Sequence, residues 1–120
     1  MVQFNQETMT TDQSPKKMKT GAELIAIERR RQIENEGWDA KHDDEHQKGE
    51  LGNAAACYAM SDGITFHSGE ICKKLWPFEW SWFKPSGKPF PKERIKELAK
   101  AGALCAAEID RLQRKYKDDL

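Results

Sequence analysis

The sequence has no excess of charge of either sign, and this absence excludes one class of function. Lysine plus arginine and aspartate plus glutamate number 20 each among the 120 residues, so the formal net charge is zero. A chain without net positive charge has no long-range field that attracts nucleic acid or an anionic membrane. We therefore expect neither general nucleic-acid binding nor membrane association.

Cysteines and long apolar runs are also scarce. Cys57, Cys72 and Cys105 are odd in number, widely separated and without a CxxC pair. They cannot form a disulfide framework or a four-thiolate zinc site, which favours a reducing compartment. The first 19 residues lack the apolar stretch of a signal peptide, and no run is long enough to span a bilayer. The expected location is the cytoplasm.

What the sequence does contain is helical periodicity, which predicts an all-α fold. Residues 1–19 are polar and aperiodic and are expected to form a disordered tail, whereas 20–120 should form a single helical domain. The domain is predicted to be a small bundle of about three helices with an irregular Trp- and Pro-rich segment before the last. The predicted helices span residues 20–36, 49–60 and 91–117, and the second is expected to stop at a turn formed by Ser61-Asp62-Gly63.

Helix-end signals support the first two of these helices. Thr20 and Glu23 match a capping box, and Gly37 supplies the left-handed residue that commonly ends a helix. The second helix is rich in alanine and apolar on nearly all sides, which is typical of a helix packed by several neighbours. We expect it to be central.

The third helix carries apolar residues at alternating steps of three and four, which predicts a straight packing seam. The seam consists of Ile95, Leu98, Gly102, Cys105, Ile109, Leu112 and Tyr116. The small residues Ala99, Gly102 and Ala106 predict that the second helix approaches this seam closely. Leu104 points to the opposite side, where we expect a surface residue or a subunit contact in a homo-oligomer.

The segment LWPFEWSWFKPSGKPFP, between the second and third helices, holds three of the four tryptophans and four prolines. Proline excludes a regular helix there. Two interpretations stay open. The segment is either an aromatic lid that completes a core poor in large side chains, or the wall of a ligand pocket in which Trp76, Trp80 or Trp82 stacks on a planar ring.

Polar residues lie on the inward arc of the first helix. At about 100° per residue, the arc that should face the core includes Glu28, Gln32 and Asn35. Buried polar groups need partners. They either pair internally, for example with Arg29 or Arg31, or they line a pocket, with Glu36 one turn further along.

The segment EGWDAKHDDEHQKGE, between the first two helices, is crowded with acidic and imidazole side chains. Asp43, Asp44 and Glu50 offer hard oxygen ligands, which magnesium prefers. His42 and His46 are four residues apart, a spacing that on a helix would suit zinc, although this is the less favoured metal. The alternative is a solvated acidic turn whose charges stabilise the start of the second helix.

From residue 20 onward the order of features resembles a family of small uncharacterised proteins encoded by bacteriophages and prophages. The residues that carry the resemblance include Glu28-Arg29-Arg30-Arg31-Gln32, Glu36-Gly37-Trp38, His42-Asp43-Asp44, Gly49-Glu50-Leu51, Ala54-Ala55-Ala56-Cys57-Tyr58, Trp76-Pro77, Lys84-Pro85 and Lys100-Ala101-Gly102-Ala103-Leu104. The resemblance implies an accessory protein of an infected or lysogenic bacterial host, and it transfers no activity.

A more distant similarity is to MazG-like all-α nucleoside triphosphate pyrophosphohydrolases, in which acidic residues on adjacent helices hold magnesium against a triphosphate. Glu50-Leu51-Gly52-Asn53 is similar to that family's ExxD element, with asparagine in place of aspartate, and the first helix lacks the family's ExxE spacing. The similarity implies that Glu50 holds magnesium together with Asp43 or Asp44.

The sequence therefore predicts a nucleotide-handling protein, either an enzyme or a binding module, and leaves open a third alternative without a small ligand. A magnesium-dependent pyrophosphohydrolase would use Glu28 or Glu36 to orient or deprotonate the attacking water. A non-catalytic module would instead sequester a host nucleotide signal as an anti-defence protein, and a third alternative is a protein-interaction module. The expected ligand-binding residues are Arg29, Arg31, Gln32, Trp38, Tyr58, Trp76 and Trp82.

Overall fold

The computed structural model describes residues 17–60, 66–85 and 90–120, and within these ranges the chain is helical and without strands. The elements are α1 (Gly21–Glu36), α2 (Ala40–Asp44), α3 (Glu50–Ala59), α4 (Phe66–Leu75), a 3-10 turn (Trp80–Trp82), α5 (Pro91–Lys115) and a second 3-10 turn (Lys117–Asp119). The predicted all-α class is confirmed. Among the described helices, none has the length and apolar composition that a membrane crossing requires.

Two helices were not anticipated, and two predictions lie outside the described residues. The acidic turn contains the short α2, and α4 precedes the aromatic segment. The predicted tail lies outside the described ranges except for its last three residues, as does the turn predicted at Ser61-Asp62-Gly63.

The caps of α1 are those that the sequence indicates. The Thr20 hydroxyl accepts from the Glu23 N–H at 3.1 Å, and the Glu23 carboxylate accepts from the Thr20 N–H at 2.7 Å. These bonds lower the pKa of Glu23. Gly37 ends the helix with a φ of 75°. The missed α2 begins at a cap of the same kind, since Asp39 accepts from the His42 N–H at 3.0 Å.

Helix α3 packs along α5 and against α4 and supplies five core residues. The prediction that it is the central helix is wrong, because α5 contacts α1, α2 and α3, and α3 exposes Asn53, Ala56 and Ala59 on its other side. The small side chains of α3 allow the neighbouring backbones to approach closely, so the core is built from alanines with a few larger side chains between them. The core consists of Leu51, Ala54, Ala55, Cys57, Tyr58, Cys72, Trp76, Phe83, Ala101, Leu104 and Ala107.

The inward face of α5 differs from the predicted seam. Leu104 is 1% exposed and belongs to the core, so its assignment to the surface or to a subunit contact is wrong. Five seam residues are instead 38–55% exposed: Ile95, Leu98, Ile109, Leu112 and Tyr116. The alanine-rich α3 packs best on an equally thin face, and Ala101 and Ala107 on either side of Leu104 provide one.

Gly102 is close to α1, not to α3 as predicted. A Cβ at this position would lie 2.5 Å from Cδ1 of Ile25, far inside van der Waals contact. The missing side chain therefore lets α1 lie directly on α5. This contact holds the polar face of α1 beside the α3–α5 layer. The inward assignment of Asn35 is wrong, because that residue is exposed near the end of α1.

The aromatic segment has features of both predicted roles, the lid that completes the core and the wall of a ligand pocket. Trp76 and Phe83 are buried and form part of the core, with edge-on ring contacts to Tyr58 at 5.8 and 5.1 Å between centroids. The Trp76 indole N–H donates to the Glu79 carbonyl at 2.8 Å. Trp82, by contrast, is 55% exposed. The segment therefore serves both purposes. Trp76 and Phe83 complete the core, and Trp82 leaves an aromatic ring at the surface.

Cys57 and Cys72 face each other across α3 and α4, with each thiol 3.8–3.9 Å from the other residue's carbonyl oxygen. Burial raises the pKa of Cys57 to about 12 and also raises that of Cys72. Because the thiolate is the reactive form, both should resist iodoacetamide at pH 8 until the protein is unfolded. Peptide mapping by mass spectrometry measures this, and rapid modification of either thiol in native buffer would show that the packing is wrong.

Candidate functional site

A cavity of about 390 Å³ lies between α1, α3, α5 and the aromatic segment. Its lining residues are Glu28, Arg31, Gln32, Glu36, Trp38, Tyr58, Trp82, Lys84, Lys100 and Leu104. The first seven of these were selected from the sequence as catalytic or ligand-binding candidates, so the fold brings them together. The volume is within the range of about 300–1,000 Å³ that is usual for small-molecule sites.

One part of the lining is the polar face of α1, where Arg31 bridges two carboxylates. Its Nε and Nη2 donate to Glu28 at 2.9 Å each, and its Nη1 donates to Glu36 at 3.0 Å. Hydrogen bonding to Glu28 raises the pKa of Arg31 further above its usual value. The internal pairing that the sequence left open is therefore present, and the same three side chains also line the cavity.

Gln32, on the same face, is 1% exposed and only half satisfied. Its Nε2 donates to Glu28 at 3.4 Å, whereas its buried Oε1 meets no donor among the described residues. The reverse amide orientation would set Oε1 against the Glu28 carboxylate, which repels it. A buried acceptor without a donor costs about 1–3 kcal/mol, and native proteins rarely leave one. The geometry therefore favours a ligand that brings an N–H or O–H group.

Two lysines that were not predicted as site residues, Lys84 and Lys100, add positive charge to the cavity. The Lys100 ammonium lies 5.3 Å from the centroid of the Tyr58 ring, and the backbone N–H of Lys84 donates to the Tyr58 hydroxyl at 3.1 Å. Neither ammonium group has an ion-pair partner within the described ranges. Both lysines are among the residues that carry the resemblance to phage and prophage proteins, but nothing in their sequence spacing indicates that they share a site.

Three aromatic side chains of the lining come from separate elements. Trp38 follows the glycine that ends α1, Tyr58 lies on α3, and Trp82 lies in the 3-10 turn. Burial raises the pKa of Tyr58, so its hydroxyl stays protonated at neutral pH. With three cations against two carboxylates, the lining suits an anionic ligand that contains a flat ring.

Asp43 lies outside this cavity and is fully buried beside α1. Arg29 Nη2 donates to its Oδ2 at 2.6 Å, and His42 Nδ1 lies 2.9 Å from its Oδ1. Arg29 also donates to the Trp38 carbonyl at 3.0 Å. These contacts join α1 to α2 and hold the chain that carries Trp38, so Arg29 and Asp43 support the site without lining it.

The other two predicted magnesium ligands are also engaged elsewhere. Asp44 accepts from Arg114 Nη2 at 2.7 Å on the outside of α5. Glu50 accepts from the Lys48 N–H at 2.6 Å and lies 3.6 Å from His46 Nδ1. Burial by itself would raise the pKa of Glu50, but these two contacts lower it below its usual value.

The residues present do not form a preassembled metal site. Within the described ranges, no three His, Cys, Asp or Glu side chains come together as ligands. The rings of His42 and His46 are 4.7 Å apart, but their Nδ1 atoms face different carboxylates. Magnesium and zinc stay predictions, and each predicted magnesium ligand would first have to leave its present partner.

No protein-family model, curated protein or solved structure matches this chain. Five residues that were predicted from the sequence as site residues do not line the cavity: Arg29, Asp43, Asp44, Glu50 and Trp76.

Proposed function

We propose that the protein binds a nucleotide or nucleotide-derived small molecule in this cavity and retains it intact. The observation that carries the proposal is the buried Gln32 Oε1, an acceptor for which the described residues offer no donor, in the wall of a cavity that also presents aromatic rings and two ammonium groups. A nucleotide supplies each complement: a base N–H for the amide, a planar ring for the aromatics and phosphate oxygens for the cations.

The distribution of these groups suggests how such a ligand is oriented. The base edge meets Gln32 on α1, and the ring stacks on Trp82 or Trp38. The phosphates extend towards Lys84 and Lys100. Stacking of a base on an aromatic side chain contributes about 1–3 kcal/mol, and charge-assisted hydrogen bonds to phosphate contribute further affinity. Binding of this kind requires no metal ion.

The resemblance to phage and prophage proteins suggests the setting. In the cytoplasm of an infected or lysogenic bacterium, an accessory protein that removes a nucleotide signal of the host's defence would protect the phage or prophage. Sequestration needs a cavity and not a reaction, which agrees with the lack of an assembled metal site in the described ranges. The proposed role is therefore a non-catalytic nucleotide-binding module.

A magnesium-dependent pyrophosphohydrolase is the second candidate, and one observation favours it. Glu28 and Glu36 both line the cavity, so two carboxylates lie close to where a bound nucleotide would be. Incubation with nucleoside triphosphates and with cyclic and ADP-ribose-type nucleotides, in magnesium or in chelator, distinguishes the two. Intact nucleotide retained in chelator supports sequestration. Pyrophosphate release that stops in chelator and in Glu36→Gln supports hydrolysis. If the protein shows no retention and no pyrophosphate release, both candidates are excluded.

Trp82 and Trp80 form a matched pair for testing the aromatic wall. They flank one residue in the same turn and are 55% and 45% exposed, but only Trp82 lines the cavity. We expect Trp82→Ala to weaken binding of the retained nucleotide by about 10-fold, and Trp80→Ala to leave it nearly unchanged. Calorimetric titration measures both. Equal losses would contradict the placement, as would a Trp82→Ala protein that is simply unfolded.

A further inference from the structure

The outward face of α5 is an apolar stripe that runs along most of the helix. Its members are Ile95, Leu98, Cys105, Ile109, Leu112 and Tyr116, all of them exposed. From Ile95 to Tyr116 the stripe is about 30 Å long. The stripe is interrupted at Gly102, where Ile25 of α1 lies against α5. The exposed apolar surface on either side of this contact is of the kind that usually marks an interface.

The two ends of the stripe differ in shape. At the Ile95 end it borders an apolar groove of about 320 Å³, lined by Lys19, Gly21, Leu24, Ile25, Ile95, Leu98 and Ala99. At the other end lie two large side chains, Leu112 and Tyr116, which are 38% and 43% exposed. One end therefore has space to fill, and the other has side chains that could fill it.

We propose that α5 packs against α5 of a second copy of this chain, antiparallel and about a two-fold axis. The middle of the stripe falls at Cys105, so an axis there sets the two Cys105 side chains face to face. Leu112 and Tyr116 of each copy then lie over the groove of the other. A parallel pair would set groove against groove and leave both empty.

A second copy is the occupant that the stripe fits best. Steps of three and four residues are the spacing of a two-helix seam, and a two-fold interface requires the same surface on both chains. The exposed side chains of the stripe and the groove beside them form one surface for a second copy to cover, and a stable complex buries about 800 Å² per partner. Residues 1–16 of the same chain are a poor cover, since only Met1, Val2, Phe4 and Met9 are large and apolar.

The mass of the full-length protein in solution tests the proposal. Light scattering should give twice the 13.8 kDa chain mass. Ile109→Glu combined with Leu112→Glu should give a monomer with unchanged far-ultraviolet circular dichroism. Ile71→Glu is the matched control, because Ile71 is 46% exposed on α4 and should leave the dimer intact. The proposal is overturned if the native protein is a monomer or if the dimer survives the double substitution. It is also overturned if Phe4→Asp abolishes the dimer, because the N-terminal residues would then take part in the interface.

Cross-linking tests the orientation independently. In a Cys105→Ser background, the variants Ile95→Cys and Tyr116→Cys are mixed and treated with a short bismaleimide. Because Cys57 and Cys72 are buried, the new thiols are the ones that react. An antiparallel pair links the two variants to each other and links neither to itself. Self-linked Ile95→Cys or Tyr116→Cys dimers would overturn the antiparallel arrangement.

Discussion

Replacement of Asp43 by alanine is expected to lower the free energy of unfolding by about 3–5 kcal/mol. The carboxylate is fully buried and is held by Arg29 and His42. Its removal takes away the one carboxylate that, among the described residues, pairs with the Arg29 guanidinium, which is only 13% exposed. Denaturant titration of the two proteins measures the loss.

The neighbouring residue provides the control. Asp44 is 51% exposed and pairs with Arg114 at the surface, so Asp44→Ala should cost about 1 kcal/mol or less. Similar losses for both substitutions would contradict the assignment of Asp43 as a buried structural carboxylate.

The same variants separate a structural role of Asp43 from metal binding. If Asp43 held magnesium, added magnesium would raise the melting temperature of the native protein, and Asp43→Ala would abolish that rise. The ion pair with Arg29 predicts no such dependence. A magnesium-dependent stabilisation that is lost in Asp43→Ala would show that the carboxylate leaves Arg29 to bind the metal.

Combined replacement of Lys84 and Lys100 by alanine is expected to weaken nucleotide binding by about 100-fold or more, because a hydrogen bond to a charged group contributes about 1.5–3 kcal/mol. Neither ammonium has an ion-pair partner in the described ranges, so the substitutions leave no charge uncompensated. Folding stability should change little, apart from the lost contact of Lys100 with the Tyr58 ring.

Titration at low and high salt measures this effect, and the dependence of affinity on salt should fall in the double variant. Lys73→Ala combined with Lys74→Ala is the matched control, because these lysines are exposed on α4 and away from the cavity. An equal loss in the control would mean that overall charge, and not the cavity, governs binding.

Local signals in the sequence predicted the helices that they mark. Thr20, Glu23 and Gly37 fix the ends of α1, and the alanine-rich pattern of α3 indicates that this helix contributes to the core. The inward polar residues of α1 could also be found, because the helical period alone brings Glu28, Gln32 and Glu36 to one side. These features depend on residues close in sequence, and for that reason they were predictable.

Features that depend on competition between surfaces were not predictable in this way. Helix α5 has two apolar faces, and the seven-residue repeat does not reveal that α3 selects the thinner one around Leu104. The partners of Asp43 and Asp44 lie 14 and 70 residues away in the sequence. Lys84 and Lys100 meet at the cavity only because the aromatic segment folds back on α3 and α5. No local pattern encodes such contacts.

Retention of nucleotide by the full-length protein tests the proposed binding most directly. The protein is mixed in chelator with the nucleotide classes named above and separated from free ligand, and the retained molecules are identified by mass spectrometry. Gln32→Leu is the comparison, because it removes the buried acceptor without leaving a polar group unpaired. We expect the native protein to retain intact nucleotide, and Gln32→Leu to release it without a lower melting temperature. A folded native protein that retains none of these nucleotides would contradict the proposed function.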